Sequence, residues 1–326
     1  MGTERNYTFD VLKIILAFCI VLKHTESMFK VALDPLTTCA VPMFFMTSGW
    51  LIFSRPLDKQ RILRNSGKMI KIFIYATTFW WIVRFFTKGA YITNLKDGLI
   101  LILSNNERVI GHLWYLSAYA YTLLFIAILV NYKFPKKNLW AVPLGLLVVY
   151  FICDTYIVNT AIEKNVTLVY LFRNWIFTGV PFFIIGGLIS MKNVTLSNSI
   201  TIPLIIIFST TALCEIHFLH PIHIADVFWA TAPLSVISFL LIVSQKIKKP
   251  NILSIWGEKY SLYIYIFHPL FCDLLLKDWL KGNKDIYVQA TSPLIVFALS
   301  LLMSIIFVAI KVRVSNKLKK LKTITI

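Results

Sequence analysis

The sequence predicts an all-α membrane protein, a polytopic bundle of about ten transmembrane helices with both termini cytoplasmic. Three observations lead there. Hydrophobic residues make up 58% of the 326 and charged residues 15%, against about 45–50% and 25% in soluble proteins. Windows of about twenty apolar residues recur from one end to the other and no polar block reaches the ~50 residues of a soluble domain, so 1–326 reads as a single transmembrane domain. Lysines and arginines crowd one set of loops, which accounts for a net charge of +18 without a nucleic-acid partner.

The first window, 9–29 (FDVLKIILAFCIVLKHTESMF), carries Asp10, Lys13, His24 and Glu26. Ionisable groups at membrane depth are costly enough to need a reason. At ~100° per residue the steps from Lys13 to His24 close about three turns, which sets both on one face roughly 16 Å apart along the axis. Asp10 falls near the same stripe. Glu26 lies almost opposite His24 on a regular helix and joins it only where the helix unwinds near its end. The opening lacks the basic start and small-residue cleavage site of a signal peptide, so this helix is expected to stay in the mature chain.

Further windows follow at 37–53, 68–86, 113–130, 139–158, 176–191, 200–214, 227–245, 260–276 and 293–312. The apolar run at 97–104 is below spanning length and reads as an interfacial or re-entrant piece. An even count of spans puts the termini on one side. Loops on that side hold twenty of the 33 basic residues, including Arg55, Arg61, Arg64, Lys133, Lys136 and the tail from Lys311 to Lys322, against nine opposite. The richer side is the cytoplasmic one. Pro42, Gly49, Pro181, Gly186, Gly187, Pro233 and Pro269 fall within the apolar helices and hint at a polar interior that satisfies freed backbone groups. No solenoid or inverted repeat stands out, which weighs against a carrier.

Cys19, Cys39, Cys153, Cys214 and Cys272 are odd in number and free of CxxC spacing, so they read as packing residues. EIHFLHPIH sets His217, His220 and His223 at every third residue, yet on a helix that spacing drifts ~60° per step and Pro221 interrupts it. A solvated outer loop is expected there, and no metal site. His24 is the candidate centre of chemistry, because near neutral pH an imidazole takes a proton or attacks as a nucleophile, and it shares its stripe with Lys13 and Asp10. For the Lys13 and Asp10 pair the plain structural alternative is a salt bridge at headgroup level.

The spacing D-x-x-K-x10-H from Asp10 through Lys13 to His24 is followed by FFMTSGWLI (44–52), the basic RILRNSGKMIK (61–71), HLWYL (112–116), VPFFIIGGL (180–188) and YSLYIYIFHPL (260–270). In that order the motifs resemble acyltransferase family 3, bacterial integral-membrane O-acyltransferases of surface polysaccharides. Many members carry arginine where this chain has Lys13, which keeps the charge without the bidentate fork.

The resemblance implies a multi-pass enzyme of the bacterial cytoplasmic (inner) membrane. It would move an acyl group, usually acetyl, from cytoplasmic acetyl-CoA to a hydroxyl of a cell-surface glycan or its lipid-linked oligosaccharide precursor, as in O-antigen or exopolysaccharide biosynthesis. His24 would serve as base or nucleophile, with Lys13, Asp10 and Glu26 around it. Lys13, Arg61, Arg64, Lys68 and Lys71 would pair with the phosphates of coenzyme A. Ser48, Arg84, Trp114, Tyr115, Tyr265 and His268 would border the acceptor.

No metal cofactor is expected, and with no appended esterase-like domain in view the transfer is expected to finish within the membrane domain. The structural alternatives are positive-inside topology for the basic run, interfacial anchoring for the aromatics, and snorkelling to the headgroups for Arg84. A reading from another class is a proton-coupled transporter or flippase with Asp10, Lys13 and His24 as its relay. A third is a membrane-embedded sensing or partner-binding unit.

Overall fold

The computed structural model of the chain describes residues 6–88, 111–153, 174–219, 229–280 and 282–324. Among these residues every regular element is helical. That is the outcome lipid imposes, since each backbone N–H and C=O within hydrocarbon must find its partner inside its own segment. The order is α1 Thr8–His24, α2 Lys30–Thr38, α3 Ala40–Phe53, α4 Lys59–Lys88, α5 Trp114–Asn131, α6 Ala141–Cys153, α7 Val180–Lys192, α8 Asn198–Leu219, α9 Thr231–Ser244, α10 Ile252–Lys259, α11 Ser261–Pro269, α12 Lys277–Leu280 and α13 Ile286–Ile324. π-helical turns, Trp175–Gly179 and Leu270–Leu275, precede α7 and follow α11.

Six stretches are long and apolar enough to cross a membrane by length and composition: Lys30–Phe53, Lys59–Thr87, Gly111–Asn131, Trp175–Lys192, Asn198–Glu215 and Ile286–Lys317. Thr231–Ser244 and Ser261–Leu275 are shorter apolar helices. In Lys59–Thr87 and Asn198–Glu215 only 11% of the most apolar window is buried. Large apolar side chains turned outward over such lengths suit lipid rather than water.

The described chain falls into two compact units, Met1–Ala40 with Gln245–Ile326, and Val41–Ser244. In the first, the start of α1 is fastened to the chain leading into α10. Thr8 Oγ1 donates to the Gln245 carbonyl at 2.8 Å and accepts from the Ile247 N–H at 3.0 Å. The Tyr7 N–H donates to the Ile247 carbonyl at 3.0 Å. α10 opens on a reciprocal cap in which Asn251 and Ser254 each take the other's N–H. A Cβ on Gly257 would run into the Asp10 carbonyl oxygen, so the backbones of α1 and α10 touch at this glycine.

Further along α1, Ile14, Ala17 and Val21 recur at spacings of three and four and join one buried cluster with Ile264 of α11 and Val296 and Leu301 of α13. Phe18 meets Phe297 edge-on at 5.3 Å, and Ser292 Oγ donates to the Glu26 carbonyl at 2.6 Å. The contacts of α1 climb in step with α10–α11 and in reverse with α13, so α1 is parallel to the former and antiparallel to the latter. α2 packs back on α1. There Lys23 Nζ reaches Asp34 Oδ1 at 3.3 Å and Thr38 Oγ1 at 2.6 Å.

In the second unit α4 packs on α5, α8 on α9, and α7 on α6 and α5. Ser66 Oγ donates to the Ala120 carbonyl at 3.0 Å, a polar tie between α4 and α5. A Cβ on Gly49 would strike the Phe183 carbonyl and one on Gly186 the Met46 carbonyl. α3 and α7 thus approach backbone to backbone through glycines, the means by which helices associate where burial from water gives no drive. At Gly49 and Gly186 the absent side chain serves close packing. Ser48 and Gly49 lie within a helix, since α3 runs without interruption from Ala40 to Phe53.

Helix appears at each expected window, with shifted limits. α1 stops at His24 because Thr25 is extended (φ −103°, ψ 137°) and its hydroxyl turns back to the Val21 carbonyl at 2.8 Å. α2 and α10 are additional helices, and α13 continues to Ile324 through the basic tail. His217 lies exposed in the last turn of α8, a helix where a loop was expected. The run 97–104, together with His220 and His223, lies outside the described residues.

Two stability predictions follow from these contacts. Gly257→Ala should lower the melting temperature of the detergent-purified chain by several degrees, since overpacking of this kind costs about 1–3 kcal/mol. Gly67→Ala, where a Cβ meets nothing within 4 Å, should leave it unchanged or raise it. Equal effects would contradict the close approach. For Lys23 and Asp34, both partly exposed (26% and 21%), a double-mutant cycle with Lys23→Met and Asp34→Asn should give a coupling of about 1 kcal/mol. A coupling near zero in thermal melts would remove this pair from the α1–α2 contact.

Candidate functional site

Six of the candidate residues belong to the first unit. On α1, Lys13 Nζ lies 3.0 Å from Asp10 Oδ1, an i,i+3 ion pair whose acid is buried and whose base is partly exposed. The pair neutralises two charges that the segment otherwise could not carry into lipid. Asp10 is also the residue whose carbonyl abuts Gly257, so the ion pair is anchored at the point of closest helix approach. At ~1.5 Å per residue, His24 stands roughly 16 Å further along α1.

His24 continues the Ala17 and Val21 face. That face packs against Ile264, and one turn beyond Ile264 on α11 is His268. The two imidazoles accordingly meet, with ring centroids 5.3 Å apart and planes tilted by 40°. His24 is exposed and His268 is 1% exposed.

The setting of His268 follows from the proline after it. Pro269 has no N–H to give to the Tyr265 carbonyl four residues back. The His268 ring takes that place, its Nδ1 lying 2.9 Å from the Tyr265 oxygen and 3.3 Å from the Ile264 oxygen. Carbonyls only accept, so Nδ1 carries the proton and Nε2 of the neutral ring holds the lone pair. Tyr265 is buried, with its ring 6.2 Å from that of His268. The histidine–proline dipeptide therefore builds a locked imidazole of defined tautomer next to a reachable one.

Glu26 does not join this pair through its carboxylate. Although α1 unwinds after His24, Glu26 is exposed and its Oε1 lies 3.9 Å from Lys30 Nζ. Lys23, the residue before His24, pairs with Asp34 of α2, and neither was singled out from the sequence. Their signal was another ionisable residue within the first apolar window and an acid before Pro35.

The remaining candidates belong to the second unit. The aromatic motif of α5 builds a cluster in which Tyr115 lies 4.9 Å from Phe45, 5.8 Å from Phe44 and 6.0 Å from Tyr119, the last stacked at 8°. Tyr119 is hydrogen-bonded to Ser48. It was legible one turn after Tyr115 but was not picked out. Trp114 is buried and Arg84 half-buried.

At the start of α4, Arg61 Nη2 donates to the carbonyls of Ile52 at 3.2 Å and Pro56 at 2.9 Å. Arg64, Lys68 and Lys71 are exposed along the same helix. Among the described residues no group of three or more His, Cys, Asp or Glu is placed to hold a metal ion.

Comparison with known proteins places these features. A serine/alanine racemase of Enterococcus gallinarum is 27% identical over 244 residues, which is 71% of this chain and 34% of that protein. The chain thus spans about a third of that relative's length. No solved structure matches significantly. The family profile described as "Acyltransferase domain" matches residues 6–313. That range takes in both units and every candidate residue, and the chain belongs to acyltransferase family 3, a family of membrane acyltransferases.

Proposed function

We propose that the protein is an O-acyltransferase of the bacterial cytoplasmic membrane that moves an acetyl group from cytoplasmic acetyl-CoA to a hydroxyl of a surface glycan or its lipid-linked precursor. In this reading 1–326 is one transmembrane domain of about ten spans with both termini inside. The parallel course of α1 and α10–α11, with α13 running the other way, supports an alternating path, and the lysine-rich loops support the orientation. The observation that carries the reading is the reachable imidazole of His24 held against the locked imidazole of His268, on the same stripe as a cation one half-membrane away.

The chemistry is base-assisted acyl transfer. His24 takes the proton of the acceptor hydroxyl as its oxygen attacks the thioester carbonyl. The tetrahedral adduct then expels the coenzyme A thiolate, C–S breaks, and the thiolate recovers the proton from the imidazolium. His268, with Nδ1 held by backbone carbonyls, lays a fixed ring against that of His24 and so limits how the His24 ring turns. Lys13 is too far along the axis to touch the reacting atoms. Its role is toward the donor's charged end, with Asp10 orienting it; in the second unit the exposed cations Arg64, Lys68 and Lys71 are by themselves suited to phosphates. Arg61 is bound to backbone carbonyls and shares in this only through its remaining donors. Ser48, Arg84, Trp114, Tyr115, Tyr265 and Glu26 are acceptor-side candidates, Tyr265 the best supported because it shares a turn with His268.

In proteoliposomes supplied with acetyl-CoA and a glycan acceptor, His24→Ala should lower acetyl transfer by about 10²–10⁴ with the melting temperature unchanged. Retained activity removes His24 from the mechanism. Solute counterflow that ignores acetyl-CoA would favour the transporter instead. Lys13→Ala should raise the KM for acetyl-CoA more than it lowers kcat, and Lys13→Arg should restore most of it. An unchanged KM would take Lys13 off the donor path.

A further inference from the structure

The second unit contains a cavity of ≈ 510 Å³ where the C-terminal ends of α3 and α5 meet the chain leading into α6. Its volume falls within the ~300–1,000 Å³ of small-molecule sites. The wall is largely apolar, with Phe53, Leu129, Phe134 and Leu139, and Lys133 and Lys136 add two cations. The surrounding chain is tied in place. Arg61 grips the carbonyls of Ile52 and Pro56 on either side of the turn after α3, and Lys59 Nζ donates to Asn131 Oδ1 at 2.9 Å.

Lys133 has a backbone reason to be something else. The Phe134 N–H donates to the Leu129 carbonyl at 3.0 Å and the Lys133 N–H to the Val130 carbonyl at 3.2 Å, the paired bonds that close a helix around a left-handed residue. Lys133 is that residue, at φ 50°. Glycine takes this conformation without strain, and asparagine tolerates it, as at Asn193 (φ 48°). A lysine there is strained, and strain retained at a cavity mouth points to work for the side chain. Asp58, next to Leu57 of the wall, is turned to the backbone N–H groups of Gln60 and Arg61, and among the described residues no carboxylate forms an ion pair with either lysine.

We infer that this cavity is a phospholipid site, taking one acyl chain of an acidic phospholipid between the ends of α3 and α5 and its phosphate on Lys133 and Lys136. An apolar wall suits an acyl chain and not the amides of a pantetheine arm, which would be buried without partners. Cations at helix ends lie where anionic headgroups lie. The site shares no residue with the imidazole pair and does not depend on the acyl-transfer reading.

The test is native mass spectrometry of the full chain released from detergent, titrated with phosphatidylglycerol and, separately, phosphatidylcholine. One phosphatidylglycerol should be retained per chain, and Lys133→Gly with Lys136→Gln should weaken it about tenfold or more. Lys133→Gly relieves the left-handed lysine, so this variant should melt no lower than the wild type, which separates lost binding from lost folding. Val130→Trp, which fills the cavity, should also expel the lipid. Equal retention by the lysine variant, or equal retention of phosphatidylcholine, overturns the proposal. Displacement of the lipid one-for-one by coenzyme A overturns it too and assigns the cavity to the donor.

Discussion

The contact of α1 with α10 at Gly257 is the constraint from which the first unit is built. It brings two backbones to touching distance and thereby sets the height and rotation of α1 against α10–α11. From that fixed point the chain has few choices. Ala17 and Val21 must face Ile264, and the residues one turn further on each helix, His24 and His268, must face each other. A residue with any side chain at 257 would tilt the helices apart at one end, and a small angle there is amplified along α1. Glycine at this position is thus a condition for the imidazole pair, although it lies at the opposite end of α1.

Ionisable residues in an apolar helix must be neutralised or must reach water, and the first unit uses both solutions. Asp10 and Lys13 neutralise each other on one helix, and Lys23 and Asp34 do so between two. The second pair also ties α2 to α1. His24 is handled differently. It sits where α1 ends, exposed, with the helix closed off by Thr25. His268 is buried, and its proton is committed to the carbonyl that Pro269 sets free. Two histidines of like chemistry are made unlike by one proline.

Much of this was legible in the sequence. The apolar windows located helix throughout the described chain, because the length and composition needed to meet lipid are one-dimensional properties. The common stripe of Lys13 and His24 was legible for a similar reason, being a consequence of helical pitch alone. What pairs with His24 was not legible, since residues 24 and 268 are joined only through packing. The dipeptide His268–Pro269 carried the signal, but its meaning depends on which carbonyl the proline releases. Gly49 and Gly186 were read as hints of a polar interior and Gly257 not at all, whereas all three are points of helix contact. Absence of a side chain permits either, and only the neighbouring helix decides.

The ~16 Å between the Asp10–Lys13 pair and His24 also limits what each can do in a common reaction. A cation at that distance, partly screened by its own carboxylate, contributes little to charge developing on a reacting oxygen. Whatever steadies charge at the reacting atoms must then lie near His24, and His268, whose one N–H is committed to backbone carbonyls, can serve only the imidazolium that forms there and not the oxyanion. On the proposed reading Lys13 acts on the donor's phosphates and the imidazoles on its thioester, so the two ends of one substrate span the two ends of one helix. The substitution of lysine for arginine at position 13 is intelligible on this division. Phosphates need a cation within reach, and a planar fork would matter only if Lys13 had to hold a reacting group in one orientation.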